Sequence, residues 1–168
     1  MAVDTSVIGK PTGAYKVRVE RGPVSSFASA LKDDNPIYHD AAVAHDAGFD
    51  AIPAPPTFSF AMQHMGRFAE EQPTDPTGGV NPMHAVMSGL YAKGGLVLHG
   101  EEEFVYHRPI VVGDVLVGEG KVVDLYEKDS DSATMTFIVL ETVWRDEATS
   151  EPVVTERFNL IHRLPKQG

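Results

Sequence analysis

Four long β-rich runs fill the second half of the chain: Leu96 to His107, Val115 to Glu127, Ala133 to Arg145 and Val153 to Arg163. Between them stand Arg-Pro and Gly-Asp, then Lys-Asp-Ser-Asp, then Asp-Glu-Ala-Thr-Ser-Glu-Pro, each a group of turn-forming residues. No run carries a proline in its middle, where the missing N–H would argue against a central strand. A further strand is expected from Tyr15 to Glu20, because Tyr15, Val17 and Val19 alternate with Lys16, Arg18 and Glu20. These runs predict an antiparallel sheet of at least five strands.

Helical patterns lie between the first strand and the others. Val24, Phe27, Ala28 and Leu31 fall at helical spacing and predict a short amphipathic helix that delivers Asp33 at its C-terminal end. Asp40 suits the N-cap of a second short helix through Ala47, which Gly48 closes in the left-handed conformation. From Thr57 to about Glu71 the chain is apolar nearly all round, which suits a long helix wrapped by the sheet. Its methionines and phenylalanines read most simply as core packing. Gln72 to Gly79 reads as a loop, and Val80 to Gly95 carries Asn81-Pro82, two methionines and three glycines without a firm period. One strand, several helices and then antiparallel strands predict a single α+β domain over residues 1–168, with one long helix on the concave face.

The chain's 24 acids against 14 Lys and Arg leave a formal charge of −10, which argues against nucleic-acid or anionic-membrane binding. The chain contains no cysteine, so neither disulfides nor thiolate chemistry enter. Met1 to Lys10 includes Asp4 and lacks the apolar run of a signal peptide, so a cytoplasmic protein is expected. No His-x-His or His-Glu-x-x-His spacing occurs. His99 and His107, eight apart on one predicted strand, are expected to share a face at too great a separation to chelate. Neither a metal nor another cofactor is expected.

Chemistry concentrates in Asp33-Asp34-Asn35-Pro36-Ile37-Tyr38-His39-Asp40 and in Ala54-Pro55-Pro56-Thr57-Phe58. Asp, Asn and Pro also build ordinary turns. In their order along the chain, however, these segments resemble the MaoC-like, R-specific hydratase and dehydratase family of the hot-dog fold. The motif of that family is Asp-x-Asn-Pro-x-His, followed by a long central helix; Asp33, Asn35 and Pro36 match it. The chain is more closely similar to the N-terminal half of double hot-dog dehydratases, through Ala54 to Phe58 and the His-Arg-Pro-x-x-x-Gly-Asp stretch from His107 to Asp114. The resemblance runs from about Val17 to about Arg163. Two positions depart from it. Tyr38 stands where catalytic members have histidine, with His39 one residue later, and Pro56, which has no N–H, stands where a glycine amide usually holds the thioester oxygen.

The resemblance implies reversible hydration of a trans-2-enoyl thioester to an R-3-hydroxyacyl thioester, on CoA or acyl carrier protein. It assigns water activation to Asp33, proton transfer to His39 or Tyr38, and loop orientation to Asn35. The substrate segment would be Pro56, Thr57 and Phe58, with N–H groups near Thr57 and the helix dipole holding the thioester oxygen. Three readings follow. The first is a self-sufficient homodimeric hydratase. The second is a non-catalytic, channel-forming partner of another hot-dog chain, which Tyr38 and Pro56 favour. The third, an acyl thioesterase, ranks last because no acid occurs between Thr57 and Ala69.

Overall fold

The computed structural model describes residues 3–166. Its five strands are β1 (Pro11–Arg18), β2 (Leu96–Tyr106), β3 (Val115–Asp129), β4 (Ala133–Asp146) and β5 (Pro152–Pro165). They form one antiparallel sheet in the order β1-β3-β4-β5-β2. Four α-helices among the described residues cover one face: α1 (Arg21–Ala30), α2 (Ala41–Asp46), α3 (Phe58–Met65) and α4 (Met83–Ala92). The expected α+β hot-dog arrangement is present.

Side chains of period two on the strands meet those of helical period on the covered face. One apolar cluster joins Phe58 and Met62 of α3 to Val17, Leu116, Trp144 and Val154. A second joins Met83 and Leu90 of α4 to Val122, Leu125 and Ile138. Gly118 makes room for the largest of these side chains: a Cβ there would lie 2.6 Å from Cε3 and Cζ3 of Trp144. The indole is fully buried, and its Nε1–H donates to Glu156 Oε1 at 2.8 Å.

Several expectations need correction. The central helix is short, ending at Met65 rather than near Glu71. Gly66 stops it because the carbonyl there accepts the Arg18 N–H at 2.9 Å, and a Cβ would strike the Arg18 carbonyl. A tertiary contact thus overrides an apolar pattern that would otherwise carry on. Beyond it, Gln72 lies along the outer edge of β1, its Oε1 accepting from Lys16 N–H at 3.1 Å and its Nε2 donating to Lys16 O at 3.0 Å. The first strand begins at Pro11, earlier than expected, and ends at Arg18. The stretch without a firm period contains α4, whose start is held by Asn81 Oδ1 accepting the Met83 N–H at 2.8 Å. Finally, His99 and His107 do not share a face. An irregularity in β2 between His99 and Glu102 shifts the alternation. His99 therefore packs on Phe60 and Phe158, while His107 lies beyond the strand and meets Thr155.

Candidate functional site

The Asp33 loop begins where α1 ends. Lys32 takes a left-handed conformation (φ 57°), and Asp33 N–H closes back on Ala28 O at 3.0 Å. Asp33 Oδ1 accepts the Asn35 N–H at 3.1 Å, and Asn35 Oδ1 accepts the Ile37 N–H at 3.2 Å. The second bond caps a 3-10 turn at Pro36–Tyr38, which proline's fixed φ helps to start. The side chains of Tyr38, the last residue of the turn, and of His39, which follows it, go to different places. Tyr38 is buried and lines a cavity. His39 packs back toward α1, with Nδ1 3.3 Å from Ser25 Oγ and its carbonyl accepting from Arg21 at 2.7 Å. His39 is not among the residues that line the cavity.

That cavity has a volume of about 420 Å³ and lies between the 3-10 turn, Pro53 to Pro56 and Tyr106 to Ile110. Its far wall is two chain segments zipped together: Ala54 N–H donates to Ile110 O and Val112 N–H to Ile52 O, both at 2.8 Å. Arg108 anchors this wall. Its guanidinium donates to both Asp114 oxygens, at 2.8 and 3.0 Å, and to Asp146 Oδ2 at 2.9 Å. Asp114 Oδ2 also accepts the Val111 N–H at 2.9 Å. Arginine's planar fork explains why Arg108 and Asp114 stand together in the His-Arg-Pro-x-x-x-Gly-Asp stretch.

The entrance of α3 forms the third side. Thr57 adopts φ 69°, and its N–H donates to the Tyr106 hydroxyl at 2.9 Å. The Phe58 N–H donates to Pro55 O at 3.1 Å, and the Phe58 ring is buried edge-on against Phe27. The amide expected to face a thioester oxygen is therefore engaged by a phenol, whose own proton remains to be donated. Burial first, and then the charge of Asp33, push the Tyr38 phenol above its ordinary value, so it stays protonated at neutral pH. The cavity is thus lined by two tyrosines, Tyr38 and Tyr106, and by Arg108. It is equipped to bind and polarise a carbonyl. Its one imidazole, His107, sits 3.2 Å from Thr155 Oγ1.

Of the residues singled out from the sequence, Tyr38 and Pro56 line the cavity, while Thr57 and Phe58 start the adjoining helix. Asp33 and Asn35 organise the loop behind Tyr38. Two polar residues were missed. Tyr106 ends the strand that runs into the His-Arg-Pro stretch. Glu156 is buried at the start of α3, beside Ser59, and burial pushes its carboxyl up. A signal for Glu156 was present, since it interrupts the apolar register of Val154, Phe158 and Leu160.

Comparison with known proteins places the chain. The family model described as FAS1-like, dehydratase domain region, matches residues 6–156. A UPF0336 protein of Saccharopolyspora erythraea is 32% identical over 166 residues, covering 97% of this chain and 93% of that one. A probable enoyl-CoA hydratase alpha subunit of Thermomonospora curvata is 29% identical over 147 residues, which are 86% of this chain and 44% of the relative. Among solved structures, the ChsH1-ChsH2 complex from Mycobacterium tuberculosis contains a chain of 25% identity that superposes with a TM-score of 0.72, over 95% of this chain and 87% of that one. The chain belongs to the FAS1-like dehydratase-region family, and with it to the MaoC-like hot-dog proteins.

Proposed function

We propose that this chain serves in the reversible hydration of trans-2-enoyl thioesters as the subunit that walls the acyl cavity, while a second hot-dog chain brings the ionised acid and the imidazole. The observation that carries this reading is the position of Tyr38: a protonated phenol occupies the cavity-facing site, and His39 is turned back onto Ser25. Hydration needs a base to take a proton from water, and a phenol held above its ordinary pKa is a donor instead. In this role Tyr38, Tyr106 and Arg108 orient and polarise the thioester, and Asp33 and Asn35 hold the loop that presents Tyr38. Likeness to an enoyl-CoA hydratase alpha subunit and to a chain of a two-component complex supports such a division.

A surface for the second chain is available. Among the described residues the outer edge of β2 carries no strand, and Leu96, Leu98, Val105 and Tyr106 are exposed along it. Exposed apolar side chains beside unpaired backbone groups favour pairing with another sheet.

The test is hydration of trans-2-enoyl-CoA, followed by loss of enoyl absorbance. The chain alone is expected to be inactive, and activity should appear with a second hot-dog chain that has the intact Asp and His motif. His39→Ala should leave the complex active. Turnover by this chain alone, abolished by Asp33→Asn and by His39→Ala, would establish the self-sufficient reading in its place.

A further inference from the structure

The two apolar clusters do not meet under the helices. Between them lies a second pocket, of about 150 Å³, walled in part by Phe60, Gln63, Glu102, Phe104, Glu156 and Phe158. Register explains the mixture: Phe104 of β2 pairs with Glu156 of β5, and Glu102 pairs with Phe158. The result is a checkerboard of two rings and two carboxyls on adjacent strands.

Among the described residues, two carboxylate oxygens in the wall of this pocket accept no hydrogen bond. Glu156 is 8% exposed; its Oε1 accepts from Trp144, but its Oε2 has no partner. Ser59 Oγ is fully buried beside this carboxyl and, as a hydroxyl, acts on it as a donor that partly offsets its burial. Glu102 Oε1 likewise accepts no hydrogen bond, its nearest basic neighbour being His99 Nε2 at 3.4 Å. Buried acceptors in native proteins are almost always satisfied, so unbonded carboxylate oxygens on residues that line a pocket point to a donor that enters it. Burial pushes both carboxyls up, which is the expected response to such surroundings.

We propose that this pocket receives a hydroxyl or ammonium group at the far end of an acyl chain, with Glu156 and Glu102 as acceptors. Phe60, Phe104 and Phe158 pack around the carbon that bears the group. The pocket is about the size that holds a benzene ring. It rests on the proposed function only in taking an acyl thioester as the carrier. Tyr106 of the first cavity and Phe104 of the pocket are two residues apart on one face of β2, their rings stacked at 6.1 Å. Glu102 lies two residues further on, so the carboxyls stand about 7–13 Å along β2 from the cavity, a separation that a medium-length chain spans.

Trp144 is the one tryptophan of the chain and is bonded to Glu156, so its emission reports on the pocket. The full chain would be titrated with octanoyl-CoA, ω-hydroxyoctanoyl-CoA and ω-aminooctanoyl-CoA by calorimetry and by Trp144 emission. Toluene, benzyl alcohol and benzylamine form a parallel series that needs no thioester site. The donor-bearing probes should bind about threefold to tenfold more tightly than their apolar parents and shift the emission. Glu156→Gln, which keeps an acceptor for the indole, and the more exposed Glu102→Gln should each reduce that preference, most of all for the ammonium probes. Equal affinities within both series overturn the proposal. If no CoA ester binds while benzyl alcohol and benzylamine outbind toluene, the pocket stands and the thioester reading falls.

Discussion

Arg108→Ala tests how the cavity wall is held. The guanidinium makes three charge-assisted bonds to Asp114 and Asp146 and a fourth to Pro109 O. The side chains of Arg108, Asp114 and Asp146 are 35%, 10% and 23% exposed. Breaking a fully buried ion pair costs about 3–5 kcal/mol, and losing an exposed one about 0–1 kcal/mol. This network lies between those limits, with the better-buried acid receiving the bidentate contact, so the expected loss is about 2–3 kcal/mol. In urea, with a slope of about 1–3 kcal/mol per molar, the midpoint should fall by about 0.7–3 M. The effect should depend on pH. The Thr149 N–H first, then the Ala148 N–H and Arg108, hold the Asp146 carboxyl below its ordinary value. A depressed acid contributes stability above its unfolded pKa of about 3.9 and loses it as pH falls through the folded value. The cost of Arg108→Ala should therefore be greatest at neutral pH and shrink in acid. Arg108→Lys should recover less than half of it, since an ammonium cannot reproduce the two-pronged contact. An unchanged urea midpoint for the alanine variant, or full recovery by lysine, would refute the reasoning.

Gly118→Ala drives a methyl group into the Trp144 ring and should cost about 1–3 kcal/mol with a changed near-ultraviolet dichroism of the indole; an unaltered melting temperature would contradict this. Because burial raises the Glu156 carboxyl, the stability linked to its proton is complete below the ordinary carboxylate pKa and is lost as pH rises through the folded value. Glu156→Gln should flatten that decline, and parallel pH–stability profiles for variant and parent would count against it. Tyr106→Phe removes the acceptor of the Thr57 N–H and should speed hydrogen exchange at that amide, with a stability loss of about 0.5–1.5 kcal/mol. Undiminished protection at Thr57 would mean the bond contributes nothing.

The strands were legible because each is a local event. Alternation in Val115 to Glu127 or Ala133 to Arg145, bounded by Gly-Asp or Lys-Asp-Ser-Asp, carries its own evidence, and the structure places β3 and β4 there within a few residues. Asp40 and Gly48 likewise marked the ends of α2 by chemistry confined to one turn. What escaped was set by contacts distant in the chain. Nothing near Gly66 shows that Arg18 will claim its carbonyl and end α3. The β2 irregularity that turns His99 and His107 apart is visible only against β5. At the site, Tyr38 in place of histidine was readable, but the return of His39 to Ser25 depends on how the 3-10 turn lies on α1. The Tyr106 contact to Thr57 joins residues 49 apart in sequence. Asn81-Pro82 and Gly94-Gly95 were start and stop signals for α4, obscured by the glycines between and around them.

The two margins of the sheet are unlike, and this bears on which of them favours backbone pairing with another strand. On β1, the Gln72 amide and the Gly66 carbonyl already occupy groups that another strand would need. On β2, among the described residues, no strand pairs along the outer edge, beside exposed Leu96 and Leu98. A sheet with two open margins adds chains without end and makes fibres. Covering part of one margin leaves the other as the favoured place for backbone pairing and disfavours growth from both sides. The short helix α3 and the covered edge share a cause: the Gly66 carbonyl that ends the helix also takes the Arg18 N–H that another strand would need.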